Sequence, residues 1–146
     1  MRRALDSICL ALLVLAAGPA QSADTASKYL CVPDKATGFR FDFVTKEWEQ
    51  ASFVADAKWR VEPAPDARHP AAVAIFRVEP NLRTYQCDGG FTAGLGVLEC
   101  SASGLGEFNF NRKNLRYIRS SMGGYYDGGD NNSNTPLIEI GRCSPL

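Results

Sequence analysis

Four groups of side chains in this sequence have types and spacings that chemistry could use, and each implies a different chemistry. His69, the single histidine, stands between Arg68 and Pro70. A nucleophilic triad needs its histidine held by a rigid scaffold, and a zinc centre needs several His or Cys ligands. The surrounding run from Pro63 to Ala72 is Pro-Ala-Pro-Asp-Ala-Arg-His-Pro-Ala-Ala. That composition cannot pair in a sheet, so His69 reads as a solvated loop residue.

Glu99, Glu107 and Glu139 are the acids that a glycosidase-type pair would draw on, since that chemistry needs only two carboxylates across a cleft. Each alternates with apolar neighbours, which predicts that each faces water and lacks the raised pKa of a general acid. Asp127, Asp130, Asn132 and Asn134 have the alternate spacing of a calcium loop. Counting from Asp130, however, Thr135 stands where that loop needs Gly and Gly141 where it needs Glu. The segment therefore reads as a turn-rich loop, with no metal site.

The fourth group is a basic run, Arg112, Lys113, Arg116 and Arg119, with Tyr117, Tyr125 and Tyr126 close by in sequence. Arg and Tyr dominate binding hot spots because they combine contact area with hydrogen bonding. These seven residues are the candidate binding surface, against the plainer expectation that Arg116 and Arg119 solvate the outside of a strand. No residue set requires a cofactor or catalysis, and the chain reads as a non-enzyme.

The elements that must position these residues are strands. Glu107 to Arg119 is two alternating runs around an Asn-Arg-Lys-Asn corner, with Phe108 and Phe110 on one face, which predicts a β-hairpin. Lys28 to Val32 reads as a strand stopped by Pro33, and Gly38 to Phe43 as a separate strand with Phe39, Phe41 and Phe43 on one face. Trp48 to Phe53 is read as a bulged strand pairing back on it, in preference to a helix over the Trp48, Ala51, Ala55 and Trp59 spacing. Lys58 to Glu62, Val73 to Val78, Thr84 to Cys87, Val97 to Ser101 and Leu137 to Cys143 complete the series. Of the glycines after residue 23, 11 of 12 lie at or beyond Gly89, so the second half is a meander of tight turns. About nine or ten short strands without a long helix predict an all-β antiparallel barrel or sandwich. A barrel is preferred because closure removes exposed edges.

Met1-Arg2-Arg3, the apolar run Ile8 to Ala17 and the small residues up to Ala23 have the order of a secretory signal peptide, with cleavage expected after Ala23 and Ala20 or Ser22 as the alternatives. The apolar run is too short to span a bilayer. Residues 24–146 then form a single domain. Loss of Arg2, Arg3 and Asp6 from 16 basic and 16 acidic side chains leaves 14 against 15, a balance that recruits neither nucleic acid nor an acidic membrane in bulk. The remaining four cysteines, an even number in an exported chain, predict two disulfides. Cys31 and Cys143 both lie opposite the aliphatic residues of their strands (Leu30 and Val32, Ile138 and Ile140). Cys87 and Cys100 both side with large apolar neighbours (Tyr85 and Leu98). Pairing within each set gives Cys31–Cys143 and Cys87–Cys100.

Several stretches carry a resemblance. Cys31 to Phe41 with Thr37-Gly38-Phe39, the spaced Trp48 and Phe53, Phe108-Asn109-Phe110-Asn111, Asn114-Leu115-Arg116-Tyr117 and the ending Thr135-Pro136-Leu137-Ile138-Glu139-Ile140-Gly141-Arg142-Cys143-Ser144-Pro145-Leu146 resemble a family of small exported proteins of Gram-negative bacteria that carries no assigned activity. The resemblance implies export and an extracytoplasmic setting. Tyr85-Gln86-Cys87-Asp88-Gly89-Gly90 and Ser101-Ala102-Ser103-Gly104 are similar to pieces of the periplasmic membrane-bound inhibitors of C-type lysozyme, with a much shorter gap between the pieces here. The expectation is a periplasmic or secreted, non-catalytic binding module whose partner is a protein or surface of the cell envelope or outside it. A lysozyme-type inhibitor is the sharper version. A carrier of an apolar ligand, inside a barrel lined by Phe39, Phe41, Phe76, Phe108 and Phe110, is the alternative from another class.

Overall fold

The computed structural model describes residues 28–64, 72–87, 89–102 and 106–146. The expected signal peptide and His69 lie outside them. Nine strands follow one another: β1 (Tyr29–Asp42), β2 (Glu47–Phe53), β3 (Trp59–Pro63), β4 (Val73–Arg77), β5 (Leu82–Cys87), β6 (Val97–Ala102), β7 (Gly106–Asn111), β8 (Arg116–Ser121) and β9 (Leu137–Pro145). All pairings are antiparallel. β1 pairs with β3 on one side and β9 on the other, so eight strands close into a barrel, and β2 attaches outside the ring to the far half of β1. The barrel reading thus prevails over a sandwich. No helix occurs among the described residues.

One departure from the sequence reading organises the rest. Pro33 does not end the first strand; β1 runs through it, and its register against β9 shifts between Pro33 and Lys35. Proline tolerates a bulge because its missing N–H costs no ladder bond there. Before the bulge, Tyr29, Cys31 and Pro33 face the interior; after it, Ala36 takes that role opposite Glu139. A one-residue slip moves every later side chain to the other face. Phe39, Phe41 and Phe43 do share a face, as alternation predicts, but the slip turns it outward. Phe39 and Phe43 are half exposed, and Phe41 packs on Phe43 and Trp48 rather than in the barrel core. Trp48 to Phe53 is a strand as expected, yet its pairing with β1 is continuous and contains no bulge.

The two best-formed hairpins close alike. Asp42 and Asn111 each end a strand and turn a side-chain oxygen onto the backbone N–H two residues on, Val44 at 2.6 Å and Lys113 at 2.9 Å. The N–H four residues on, of Lys46 and of Leu115, returns to the Asp42 and Asn111 carbonyls. Lys46 and Leu115 hold positive φ, 62° and 59°. The N–H groups of Val44 and then Thr45 hold the exposed Asp42 carboxyl below its usual pKa.

The interior is packed with Trp59, Val61, Val73, Ile75, Tyr85, Leu98, Phe108, Phe110 and Tyr117 around both disulfides. Cys31–Cys143 and Cys87–Cys100 are the predicted pairs. The premise of the parity argument needs correcting, however, since all four cysteines point inward and it is Val32, Ile138 and Ile140 that face out, about half exposed. Of the five Phe expected to line the barrel, only Phe108 and Phe110 do. Phe76 flanks a small cluster of Ala64, Ala72 and Ala74 on the outside.

Candidate functional site

Two places gather side chains with chemical potential, one inside the barrel and one outside. Inside, Glu139 is 3 % exposed, which overturns its expected place on the water-facing side. The alternation of β9 predicts Ile138 and Ile140 inward and Glu139 outward. The barrel instead places Glu139 in line with Gly141 and Cys143, on the face that bonds Cys31. Glu99 and Glu107 do face outward.

The Glu139 carboxylate is enclosed by donors from two other strands. Its Oε1 accepts from Trp59 Nε1 at 2.8 Å and from the Tyr117 hydroxyl at 2.9 Å. Arg119, its cross-strand partner on β8, brings Nε to 3.4 Å, close enough for an ion pair without the alignment of a hydrogen bond. The guanidinium donates to the Tyr85 hydroxyl at 3.1 Å and lies over the Trp59 ring, 4.8 Å from its centroid. Burial opposes the Arg119 charge, but the Tyr85 bond and the Glu139 charge outweigh it and hold the group above its usual pKa. Burial, then the Glu139 charge, then the bond to Glu139 drive the Tyr117 phenol far above its usual value. A ring stacked on Phe108 at 4.9 Å and 8° completes the enclosure of Tyr117. Gly141 faces it across the strands, and a Cβ there would strike the Val32 carbonyl and the Tyr117 ring, so only glycine lets the phenol lie over β9. The network joins β3, β5, β8 and β9 and fixes their register; it is closed to substrate by its own packing.

The seven residues of the candidate binding run are thus dispersed. Tyr117 and Arg119 belong to the interior, the second against the expectation that it solvates an outer face. Arg112 stacks over Phe91 at 4.8 Å and Lys113 Nζ donates to the Gly94 carbonyl, which ties the β7–β8 turn to the glycine loop before β6. Arg116 is exposed on β8. Tyr125 and Tyr126, 67 % and 83 % exposed, stand apart from the basic residues on the segment between β8 and β9.

That segment, residues 122–136, forms the second place with the outward Phe face of β1. The Asn132 side chain takes the Phe41 N–H at 2.7 Å and gives to the Phe41 carbonyl at 2.9 Å, as a neighbouring strand would. The Phe39 N–H donates to the Pro136 carbonyl at 2.9 Å. Asp130 Oδ1 accepts from Trp48 Nε1 at 3.1 Å. Asp130 and Asn132, within the segment read as a turn-rich loop, therefore serve as fasteners. They enclose a groove of about 550 Å³ lined by Phe39, Trp48, Met122, Tyr125, Tyr126 and Pro136. The Trp48 and Tyr125 rings meet at 85° with centroids 5.9 Å apart and make a right-angled corner. Tyr125 and Tyr126 are legible in the sequence as contact residues, whereas Phe39 and Trp48 as their companions are not; the signal for them is Pro33, the residue at which the face turns over.

A polar groove of about 510 Å³ on the opposite chemistry lies over β6 and β7, lined by Gln86, Gly89, Gly90, Glu99, Ser101 and Glu107 among others. No family model matches the chain, and no curated protein and no solved structure is similar enough to it to count as a match.

Proposed function

We propose that this chain is a non-catalytic binding module that works outside the cytoplasm and engages its partner through the aromatic groove between the β1–β2 hairpin and residues 122–136. The observation that carries the reading is the reversal at Pro33. It places an aromatic face outside a barrel whose interior is already filled by its own side chains. Exposed clustered aromatics cost solubility, and a contiguous patch of them marks an interaction site. The groove is lined largely by Trp and Tyr, residue types that dominate contact hot spots. The two disulfides support an oxidising compartment. No cofactor or metal is needed for this role.

The test is differential capture. Immobilised, oxidised protein lacking residues 1–23 is incubated with periplasmic extract and culture medium, and retained proteins and small molecules are compared with those of a Tyr125→Ala, Tyr126→Ala variant. Components that the variant fails to retain support the groove. An unchanged set sinks it.

One observation favours a second reading, a lysozyme-type inhibitor. The two stretches similar to those inhibitors come together in space: Gln86 and Ser101 are strand partners, Cys87–Cys100 joins their neighbours, and both stretches line the polar groove. A stoichiometric dose would then slow lysis of cells by a C-type lysozyme. Undiminished lysis removes this reading.

A further inference from the structure

The geometry points to a small quaternary ammonium solute, of the choline class, as the occupant of the aromatic groove. The inference rests on the groove being the binding surface and goes further by naming what fits it.

Three observations converge. The six lining residues include four aromatics and no charged side chain, and Trp48 and Tyr125 present two walls at 85°. Ring faces carry the negative end of the aromatic quadrupole, so a corner of rings attracts a cation that can enter a dry site, and quaternary ammonium groups are the ions for which such boxes suit best. The charge on the wall formed by residues 122–136 has the matching sign. Asp130 is fastened to the edge of the Trp48 indole, Asp127 follows Tyr126 directly, and no Lys, Arg or His occurs between Ser120 and Gly141. Finally, two of the directional hydrogen-bonding groups beside the groove are already engaged, which leaves the Tyr125 and Tyr126 hydroxyls as the polar side-chain groups of its lining. Asn132 is tied to the Phe41 backbone and the Trp48 N–H to Asp130.

That last point separates the ligand classes. A sugar would need more convergent donors and acceptors than two phenols supply, and a primary ammonium would need acceptors for three N–H donors gathered at one nitrogen. A trimethylammonium group has no N–H to satisfy and spreads its charge over methyl groups that pack on rings. Met122, unbranched and polarisable, adds an adaptable side chain to the lining. The acidic, lysine-free wall disfavours a phospholipid surface, where phosphates lie beside the ammonium. The occupant is therefore a free solute.

Titration with choline chloride, followed by the Trp48 indole N–H resonance and by calorimetry, tests this against 3,3-dimethylbutanol, the neutral carbon isostere, and against sodium chloride at equal ionic strength. Choline is expected to give a saturable shift and to bind roughly tenfold more tightly than the isostere. Tyr125→Ala, an exposed turn position where folding is not at stake, should abolish the shift. Asp130→Asn, which keeps an acceptor for Trp48 and removes the charge, should weaken choline several-fold and leave the isostere unchanged. Equal binding of choline and isostere, no saturable shift in the millimolar range, or binding of phosphatidylcholine vesicles that free choline does not displace would each overturn the inference. If choline fails while the Tyr125→Ala, Tyr126→Ala variant still loses a component captured from extract, the groove remains a binding surface and only its assigned ligand falls.

Discussion

Arg119 and Glu139 face each other across β8 and β9 inside the barrel, Nε to Oε1 3.4 Å, Glu139 buried and Arg119 partly so, each the other's counter-charge. Removing one partner strands the other charge in the interior, which costs more than the pair itself contributes. Glu139→Gln keeps an oxygen for the Trp59 and Tyr117 donors and deletes only the charge. It should lower stability by about 3 kcal/mol, read as a fall in the urea midpoint at constant m. Arg119→Met should cost a similar amount, and the double variant should be clearly more stable than the sum of the two losses implies. Additive losses would show that the two groups act independently.

Tyr117 gives the barrel a pH limit. Its folded pKa lies above the ordinary 10.0, so the folded state favours the neutral phenol. That contribution is whole below the unfolded value near pH 10 and is lost as pH rises from there toward the folded pKa, by up to about 1.4 kcal/mol per unit. The wild type should lose stability more steeply above pH 10 than Tyr117→Phe does. Parallel curves in alkaline urea titrations would contradict this.

The disulfides differ in the length of chain they close, 112 and 13 residues of separation. In the chain-entropy model, replacing Cys31 and Cys143 by Ala should cost nearly 5 kcal/mol, and replacing Cys87 and Cys100 about 3. The order of the two losses in denaturant midpoints is the measurement. Peptide mapping without reduction should recover Cys31 linked to Cys143 and Cys87 to Cys100.

Asn132 substitutes for a strand along Phe41. Asn132→Ala deletes both bonds and should cost about 1–3 kcal/mol locally. Hydrogen exchange at the Phe41 amide should accelerate, while amides of β7 and β8 stay protected. Unchanged exchange at Phe41 would mean that the Pro136–Phe39 bond alone holds the segment.

Residue alternation and turn chemistry were sufficient for the all-β class and for eight of the strands' locations, because those depend on neighbours a few residues apart; the two disulfide pairs are the expected ones, although the facings assigned to Cys31 and Cys143 are reversed. The Phe108, Phe110 hairpin needed nothing else. What alternation could not decide was which face of a strand is inside. On β9, half-exposed Ile138 and Ile140 flank a buried Glu139, and the inward position of Cys143, two pleats away, was the available clue. On β1, the bulge beside Pro33 reversed the Phe face and turned expected lining into an external groove. Both outcomes are set by barrel closure, which brings β1 against β9 across the length of the chain. A sequence pattern states that two faces differ, and only the closed sheet states which of them meets water.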